Sequence, residues 1–532
     1  MRRYLLIQPL ALGDLLMTTP LLAGIKADHA DCRLWVLANQ AFGEVLEDNP
    51  ALDGFLPLPY QQLYRLANQE RPGALAEALA LLARLSEGLA GKWDMVHTPA
   101  FNDLAGALTR LAGGERVLGC DLTREGYLVT RGDWCACLNL GFGEPAFLPF
   151  HTADLHCLAA GVEPPEPGLR VVLTPNHRRR ATELLRELGA REGRPLAALH
   201  PAATRDHKRW PLESFAILGD KLREAGFSPL ILGGPGQKDL CRRLARSLGD
   251  GAIDAGGHTT IRQAAALLER CDLLVSSDSG PIHLAAAVGT PVVSISLGRV
   301  QPRVTGPYLP GSLALEAELD CAPCADPAAC PHQRCKQTIT PDDALAAVWV
   351  LLGRPFQPPA GSRCRFFQAT RGQDGLLDWR RLDQLPGGQQ ALYQAYRRAW
   401  REVLHPGPEP PRPPVSAPPA VNHPWSRLEA LTGRAIQALQ RLQAALAGQD
   451  YQAAQQAAGE VARAEDGIRG LGESQPAVQP AVLYFLHRRG GLDAETAPEQ
   501  ATQQAGLYRQ MRELARRLDQ QTNPNPKAGE DA

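Results

Sequence analysis

The chain has 532 residues, which is too long for one hydrophobic core and predicts two or three domains. Its 56 basic and 57 acidic residues nearly cancel, which excludes a global attraction to nucleic acid or to anionic lipid. Any site for an anion must therefore be local. No run of about 18 apolar residues is present, so a membrane-spanning helix is not expected.

The N-terminal segment MRRYLLIQPLALGDLL shares two arginines and an apolar stretch with secretory signal peptides. However, Gln8, Pro9, Gly13 and Asp14 interrupt the apolar stretch, and no cleavage site of small residues follows. We therefore interpret residues 4–8 as the first β-strand of a cytoplasmic protein.

Short apolar segments then alternate with amphipathic ones. Strands are predicted at residues 4–8, 32–38 and 93–99 and, after a stretch rich in proline and glycine, at residues 195–200, 227–234, 272–280 and 291–298. Strands that alternate with helices form parallel sheets with right-handed crossovers. The prediction is an α/β protein with two doubly wound, Rossmann-like domains, residues 1–170 and 171–355, that face a cleft.

The composition changes after residue 355. Residues 356–404 are polar with scattered aromatic side chains and predict a small mixed appendage, and residues 405–424 are a proline-rich linker. A leucine stripe with helical spacing then predicts a helical hairpin or bundle over residues 425–522, followed by a disordered tail, residues 523–532. The stripe could dock a protein partner, but we favour self-association.

The first strand ends in a turn that carries Gly13 and Asp14. In a doubly wound sheet such a turn opens onto the ligand crevice, which would make Asp14 a base facing that crevice. Asp14 could equally be an ordinary residue at a helix start, and the turn alone favours this second interpretation.

The segment HPAATRDHKRWP, residues 200–211, occupies the equivalent place in the second domain. Between the strand end and a helix that begins near Pro211 lie Thr204, Lys208 and Arg209, whose hydroxyl and cationic groups suit phosphate oxygens. A solvated basic loop is the alternative, and Trp210 is more typical of packing.

The segment SSDSGPIHLAAAVGTP, residues 276–291, ends another buried strand. Here Asp278, Ser279 and Gly280 precede or open a helix whose first turn carries His283. Backbone donors and the helix dipole at this turn suit a diphosphate.

Four of the twelve cysteines, Cys321, Cys324, Cys330 and Cys335, lie within fifteen residues. Their spacing is compatible with a structural zinc site, with His332 as a substitute ligand. Reduced thiols or a disulfide are the alternatives that we favour. In each case the cluster would be structural and remote from Asp14.

Over residues 1–352, the segments LALGDLLMTTPLL, HPAATRDHKRWP and SDSGPIHLAAAVGTPVVSI resemble glycosyltransferase family 9, the bacterial heptosyltransferases of lipopolysaccharide core assembly. The resemblance implies a GT-B fold that binds the acceptor with its first domain and the nucleotide-sugar with its second. It implies that Asp14 is the catalytic base. It also implies that Thr204 and Lys208 bind phosphate and that residues 278–280 with His283 bind the donor diphosphate and sugar.

The implied reaction is inverting transfer of a heptose-like sugar from a nucleotide-diphosphate donor to a glycolipid hydroxyl at the inner membrane. We expect no cofactor and no catalytic metal ion, because no D-x-D-like pair is evident near the cleft. Family members often carry an acidic residue after the glycine-rich turn, where this chain has Gln237 and Lys238. Gln237 could contact the ribose, but the departure leaves open whether the donor is ADP-heptose.

Two other functions stay open. The helical extension could recruit a protein acceptor or assembly partner for a glycosyltransferase. The chain could also be a binding or adaptor protein with a degenerate transferase, although retention of Asp14, Lys208 and the 278–283 motif argues against degeneracy.

Overall fold

The computed structural model describes all residues except 70, 72, 90, 92, 144–147, 167, 325–329, 384–387, 405–423, 491–495 and 523–532. The predicted tail and all of the predicted linker but Pro424 therefore lie outside the described residues. Contacts divide the chain into two compact units. The first contains residues 1–100, 108–117 and 150–385, and the second contains residues 101–107, 118–149 and 386–532.

The strands of the described residues are, in chain order, β1 (Arg3–Gln8), β2 (Arg33–Asn39), β3 (Gly54–Leu58), β4 (Met95–Thr98), β5 (Arg116–Leu122), β6 (Leu128–Arg131), β7 (Leu196–His200), β8 (Ser228–Ile231), β9 (Ile253–Asp254), β10 (Leu273–Ser277), β11 (Val292–Ser296), β12 (Leu313–Ala317), β13 (Cys364–Arg371) and β14 (Leu377–Arg381).

The α-helices are α1 (Leu12–Met17), α2 (Thr19–Asp28), α3 (Tyr60–Ala67), α4 (Ala74–Leu89), α5 (Asp103–Ala112), α6 (Asp133–Gly143), α7 (Thr152–Ala160), α8 (Pro175–Glu187), α9 (Leu212–Glu224), α10 (Lys238–Leu248), α11 (Ile261–Leu268), α12 (Gly280–Ala287), α13 (Pro302–Thr305), α14 (Cys335–Thr338), α15 (Pro341–Leu351), α16 (Gly388–Leu404), α17 (Pro424–Ala447), α18 (Tyr451–Ser474), α19 (Gln479–Gly490) and α20 (Ala497–Thr522). Short 3-10 turns occupy Gln40–Leu46, Asp206–Lys208 and Pro235–Gln237.

The first unit begins with a parallel sheet. Strand β1 lies between β2 and β4, with Leu6 opposite Val36 on one side and His97 on the other, and β3 follows β2. The strands are nearly continuous apolar runs, as expected when both faces of a sheet are covered. Because the chain runs from β1 to β2 and β3 and then returns to the other side of β1 with β4, the direction of winding reverses beside β1. Ligand crevices of doubly wound sheets lie at such reversals.

A second sheet in the same unit has the strand order β14-β13-β12-β11-β10-β7-β8-β9. Strands β7 to β12 pair in parallel, and β13 and β14 add an antiparallel edge. The winding reverses between β7 and β10, which places the ends of these two strands at the second crevice. The predicted α/β fold with two doubly wound sheets is confirmed.

One core of the first unit forms where α9 and α15 cover this sheet. Trp210, Phe215 and Phe366 have no exposed surface there and pack among leucine, isoleucine and valine side chains. Burial of this apolar surface holds the sheet, and with it the ends of β7 and β10, in a fixed position.

The second unit combines the C-terminal helices with residues 118–149. Helix α17 packs against α18 and α20, and α19 packs against α6, where Arg488 lies 2.8 Å from Asp133. The predicted C-terminal helical region is confirmed, but it contains α19, which the sequence analysis did not identify. The tail is therefore part of a compact unit rather than a bundle on a tether.

Residues 356–404, predicted to be one appendage, are divided in the structure. Strands β13 and β14 extend the second sheet of the first unit, and α16 belongs to the second unit. None of the helices in the described residues combines the length and apolarity that a bilayer crossing requires.

Candidate donor and catalytic site

Two short helices, α1 and α12, meet in the first unit. They follow the strands at the two winding reversals, β1 and β10. A Cβ atom placed on Gly280 would lie 3.1 Å from Leu12 Cδ2, and a Cβ atom on Gly13 would lie 2.7 Å from Cδ2 of His283. The small residues that the sequence carries at both positions allow the two helix starts to approach closely.

Asp14 is half-buried in the first turn of α1, and its Oδ2 atom accepts a hydrogen bond from the Ala11 N–H at 3.2 Å. The carboxylate therefore does stabilise the start of its own helix. Burial raises the pKa of Asp14 to about 6, while the Ala11 hydrogen bond and the charge of Lys208 oppose this shift. A carboxylate with this pKa is mostly ionised at neutral pH and is a stronger base than an ordinary aspartate.

Lys208 lies close to Asp14 and forms an ion pair with Asp278. The Lys208 Nζ atom is 3.0 Å from Asp278 Oδ2, and 29% of the lysine side chain and 11% of the aspartate side chain are exposed. The carboxylate of Asp278 cannot donate a hydrogen bond to a phosphate. Its contact instead holds the lysine ammonium at the end of β10, where an anion could be bound.

The loop that contains Lys208 is anchored at both ends. Lys336 contacts Asp206 at 3.0 Å, and the fully buried Trp210 donates from its backbone nitrogen to Ser277 Oγ at 3.1 Å and from Nε1 to the Ile339 carbonyl at 2.9 Å. The packing role predicted for Trp210 is confirmed. Between these anchors, Thr204 is exposed, so its hydroxyl can reach a ligand.

Ser279 is the N-cap residue of α12, but its side chain makes no capping hydrogen bond. Its hydroxyl instead contacts the Ser277 carbonyl at 3.0 Å and Ser276 Oγ at 3.1 Å. Serine is favoured at this position because it usually caps the helix. Here that capping bond is missing, Pro281 has no N–H, and the Ile282 N–H donates to the Ser279 carbonyl, which leaves the Gly280 N–H for an external anion.

His283 is buried in the first turn of α12 with 4% of its surface exposed. Burial lowers the pKa of His283 to about 4, so the ring is neutral at pH 7. Its Nδ1 atom has no hydrogen-bond partner among the described residues. Since buried polar atoms are normally paired, this nitrogen is available to a ligand or a bound water molecule.

Gln237, the predicted ribose contact, follows the glycine-rich turn after β8. Its Oε1 atom accepts from the Gly234 N–H at 2.9 Å and lies 3.2 Å from Nε2 of His200. His200 is 2% exposed and was not assigned a role from the sequence. The sequence feature that could have identified His200 is a polar residue at the end of a buried strand.

Three further buried histidines were not identified from the sequence. The rings of His97 and His156 meet edge to face at 6.2 Å, and the N-cap residue of α7, His151, contacts the Gly306 carbonyl at 2.9 Å. Burial lowers the pKa of each histidine, to about 4 for His97 and about 3 for His151, so these rings are neutral at pH 7.

The cysteine cluster is only partly described, because residues 325–329 are not. Cys330 Sγ lies 3.7 Å from His332 Nδ1, and hydrogen bonds from the backbone of Gln333 and His332 lower the pKa of Cys330. In the described part of the chain, no group of three or more His, Cys, Asp or Glu side chains is placed to hold a metal ion. The structure therefore does not support the zinc interpretation.

Two doubly wound sheets whose crevices converge on a carboxylate, a lysine and a helix start are the architecture of a GT-B fold. Residues 152–332 match the model of glycosyltransferase family 9 (heptosyltransferase). The resemblance seen in the sequence is confirmed, and helices α17–α20 lie outside the matched segment.

Curated relatives agree with this assignment. Lipopolysaccharide heptosyltransferase 3 of Escherichia coli is 24% identical over 288 residues, which cover 53% of this chain and 80% of that protein. Lipooligosaccharide heptosyltransferase 2 of Haemophilus ducreyi is 33% identical over 127 residues, 23% of this chain and 36% of that protein. A solved structure of a family 9 glycosyl transferase from Veillonella parvula superposes with a TM-score of 0.54 at 21% identity, covering 66% of this chain and 97% of that one, and shows the fold.

Proposed function

We propose that the protein transfers a heptose from a nucleoside diphosphate donor to a hydroxyl of lipopolysaccharide core or a related bacterial surface glycan, with inversion at the anomeric carbon. The family match and the relatives' activities support the sugar and the acceptor class. The observation that carries the proposal is the arrangement of Asp14, Lys208 and Asp278 where α1 meets α12. One candidate base thereby faces one candidate diphosphate site.

In this mechanism Asp14 accepts the proton of the acceptor hydroxyl. Its burial keeps the pKa near 6, so the carboxylate is ionised at neutral pH. The acceptor hydroxyl becomes more acidic as its oxygen bonds to the sugar carbon, so the proton moves to Asp14 late in the step. The donor diphosphate leaves on the side of α12. A base and a leaving group on opposite sides of the anomeric carbon give inversion.

Negative charge grows on the diphosphate as the anomeric bond breaks. In this proposal the charge is stabilised by Lys208, by the exposed hydroxyl of Thr204, by the Ser279 hydroxyl and by the Gly280 N–H at the start of α12. Such preorganised donors lower the barrier because their interaction strengthens in the transition state. We propose that these groups, rather than a divalent cation, neutralise the leaving diphosphate, and activity retained in excess EDTA would support this.

With an acceptor of this class, the protein would act at the cytoplasmic face of the inner membrane and would bind that membrane peripherally. The helical region 425–522 would be a site of self-association or of partner binding, and size measurement in solution tests the first of these. Both statements extend the proposal.

The first experiment measures thermal stabilisation by ADP, GDP, UDP and CMP for the wild type and for Lys208→Ala. A ligand at about 100 times its dissociation constant adds roughly 2.7 kcal/mol to the free energy of unfolding. One nucleoside diphosphate should stabilise the wild type and not the variant. If none of them binds, the transferase proposal fails and an adaptor role becomes the better explanation.

A further inference from the structure

The imidazole ring of His200 connects the two loops that border the proposed donor site. Its Nε2 atom lies 3.2 Å from Gln237 Oε1, on the turn after β8. Its Nδ1 atom lies 3.1 Å from Ser276 Oγ and 3.3 Å from Ser279 Oγ, just before α12. The ring is 2% exposed and contacts both loops.

The hydrogen bonds determine which ring nitrogen carries the proton. The Gly234 N–H donates to Gln237 Oε1 at 2.9 Å, which identifies this atom as the amide oxygen. Nε2 of His200 must therefore donate to it. Because burial lowers the pKa of His200 to about 4, the ring is neutral and has one N–H group, so Nδ1 is an acceptor that needs a serine hydroxyl.

Two hydroxyl groups compete for Nδ1. Ser276 and Ser279 each contact the Ser277 carbonyl, at 2.8 and 3.0 Å, and each has one proton to donate. Ser276 is fully buried, whereas Ser279 is half-buried at the start of α12. When the buried Ser276 supplies the proton that Nδ1 needs, Ser279 is not required there and its hydroxyl is available to a phosphate oxygen.

The other ring nitrogen contacts the turn after β8. In the proposed complex the sugar lies toward Asp14, so the nucleoside would extend from the diphosphate in the opposite direction, past β7 toward β8. There a side chain at Gly236 would meet no atom within 4 Å, and Gln237 accepts two hydrogen bonds through its oxygen. These two contacts hold the Gln237 side chain in place beside that space.

We infer that His200 is a positioning residue for the donor, which holds Ser276 and Ser279 beside the diphosphate through Nδ1 and Gln237 beside the nucleoside through Nε2. This role rests on the proposed function, since it requires a nucleoside diphosphate at the site. His200 does not touch the reacting atoms.

Two variants of His200 separate the two halves of this role. In His200→Asn the amide oxygen replaces the acceptor Nδ1, and in His200→Gln the amide nitrogen replaces the donor Nε2. Calorimetric titration would use inorganic pyrophosphate and whichever of ADP, GDP and UDP binds the wild type most tightly. We expect His200→Asn to keep its pyrophosphate affinity and to bind the nucleotide about five- to tenfold more weakly, the effect of one neutral hydrogen bond. His200→Gln should bind both ligands about five- to tenfold more weakly.

A variant outside the ligand's reach provides a second test. Ser276→Ala removes the buried hydroxyl, so Ser279 must serve His200, and pyrophosphate affinity should fall about fivefold. Ser294→Ala is the matched control, because Ser294 is equally buried on β11 and its hydroxyl has no partner among the described residues.

The inference is overturned if His200→Asn loses pyrophosphate affinity as much as His200→Gln does, or if Ser276→Ala behaves like Ser294→Ala. Thermal melts would show that each variant is folded. A wild type that binds neither pyrophosphate nor any of the nucleotides would overturn the proposed function itself and this role with it, which distinguishes the two failures.

Discussion

The ring of His283 fills the space into which a side chain at Gly13 would project. Its Cδ2 and Nε2 atoms lie 2.7 and 3.2 Å from the position of a Cβ atom on Gly13. The two residues are 270 positions apart in the chain, and their contact brings the start of α1, with Asp14, against the start of α12. The glycine therefore determines how closely the candidate base approaches the candidate diphosphate site.

Gly13→Ala should displace the His283 ring and separate these helix starts. Overpacking of this kind typically costs about 1–3 kcal/mol of the free energy of unfolding, and we expect a loss of transferase activity larger than the loss of stability explains. Chemical denaturation and a transfer assay would measure both. Gly88→Ala, in open space on α4, is the control; it should leave the activity unchanged and should not lower the stability, since alanine favours a helix over glycine. Normal activity in Gly13→Ala would show that the close contact is not needed.

The burial of Asp14 should affect how the free energy of unfolding depends on pH. Its pKa is raised from 3.8 to about 6 in the folded protein, so the folded state binds this proton more tightly than the unfolded state does. The ionised carboxylate therefore lowers the free energy of unfolding above pH 6, and this cost disappears as the pH falls toward 3.8. Asp14→Asn should be more stable than the wild type at pH 7, by on the order of 2 kcal/mol for a half-buried group.

Urea denaturation at several pH values would check this. The two curves of stability against pH should converge between pH 6 and pH 4, while the variant is inactive at every pH. Asp239→Asn serves as the control, since 93% of that side chain is exposed and its replacement should leave the pH dependence unchanged. An Asp14→Asn protein that is less stable than the wild type at pH 7 would contradict a buried, charged base.

Lys208 should influence both ligand affinity and the ionisation of Asp14. Replacement by methionine removes a charged donor, which should weaken nucleoside diphosphate binding by about 10- to 100-fold. Because the lysine charge lowers the pKa of Asp14, its loss should also move the acid limb of the kcat/KM profile to higher pH. Titration calorimetry and the residual activity of Lys208→Met would measure the two effects.

The control for this experiment is Lys221→Met, because Lys221 forms a surface ion pair with Asp342 at 3.0 Å on α15. Its replacement should change neither the affinity nor the pH profile. An unchanged acid limb in Lys208→Met would show that the two groups do not interact in the working enzyme.

The local part of the site could be predicted from the sequence because it depends on where strands end. Strands β1, β7 and β10 stop next to Asp14, Thr204–Lys208 and Asp278–Gly280, and periodicity alone identifies such ends. The partners of these residues could not be predicted in the same way. His200 contacts Gln237 and Ser279 only because β7 lies between β8 and β10, and the order of strands is decided by packing over long distances in the chain.

The same limit explains the errors in the domain boundaries. Strands β13 and β14 look like a separate appendage by composition, yet the edge of the second sheet offers β12 as a pairing partner. Residues 118–149 belong to the unit of the C-terminal helices, which no local pattern indicates. Composition identifies changes along the chain, but it does not show which distant segments share a core.

The C-terminal helices should therefore be needed for stability. Helix α6 buries Trp134, Cys135, Cys137 and Leu138, and α19 packs against it, with Tyr484 lying edge to face on Trp400 of α16 at 4.6 Å. Deleting residues 405–532 would remove α19 and expose apolar surface on α6 and α16. Burying one large apolar side chain contributes about 1.5–3 kcal/mol, so exposing several of them costs an amount comparable to the stability of a typical domain, about 5–15 kcal/mol.

We expect this truncated chain to aggregate or to unfold at a clearly lower temperature, which light scattering and thermal melts would measure. Arg488→Met is the milder companion, because it removes the 2.8 Å contact with Asp133 and the 3.3 Å hydrogen bond to the Thr130 carbonyl, and it should cost about 1–3 kcal/mol with the helices in place. The opposite result, a truncated chain with the melting temperature and transfer rate of the full protein, would mean that the helices are an independent bundle after all, and their role would then have to be sought in a partner.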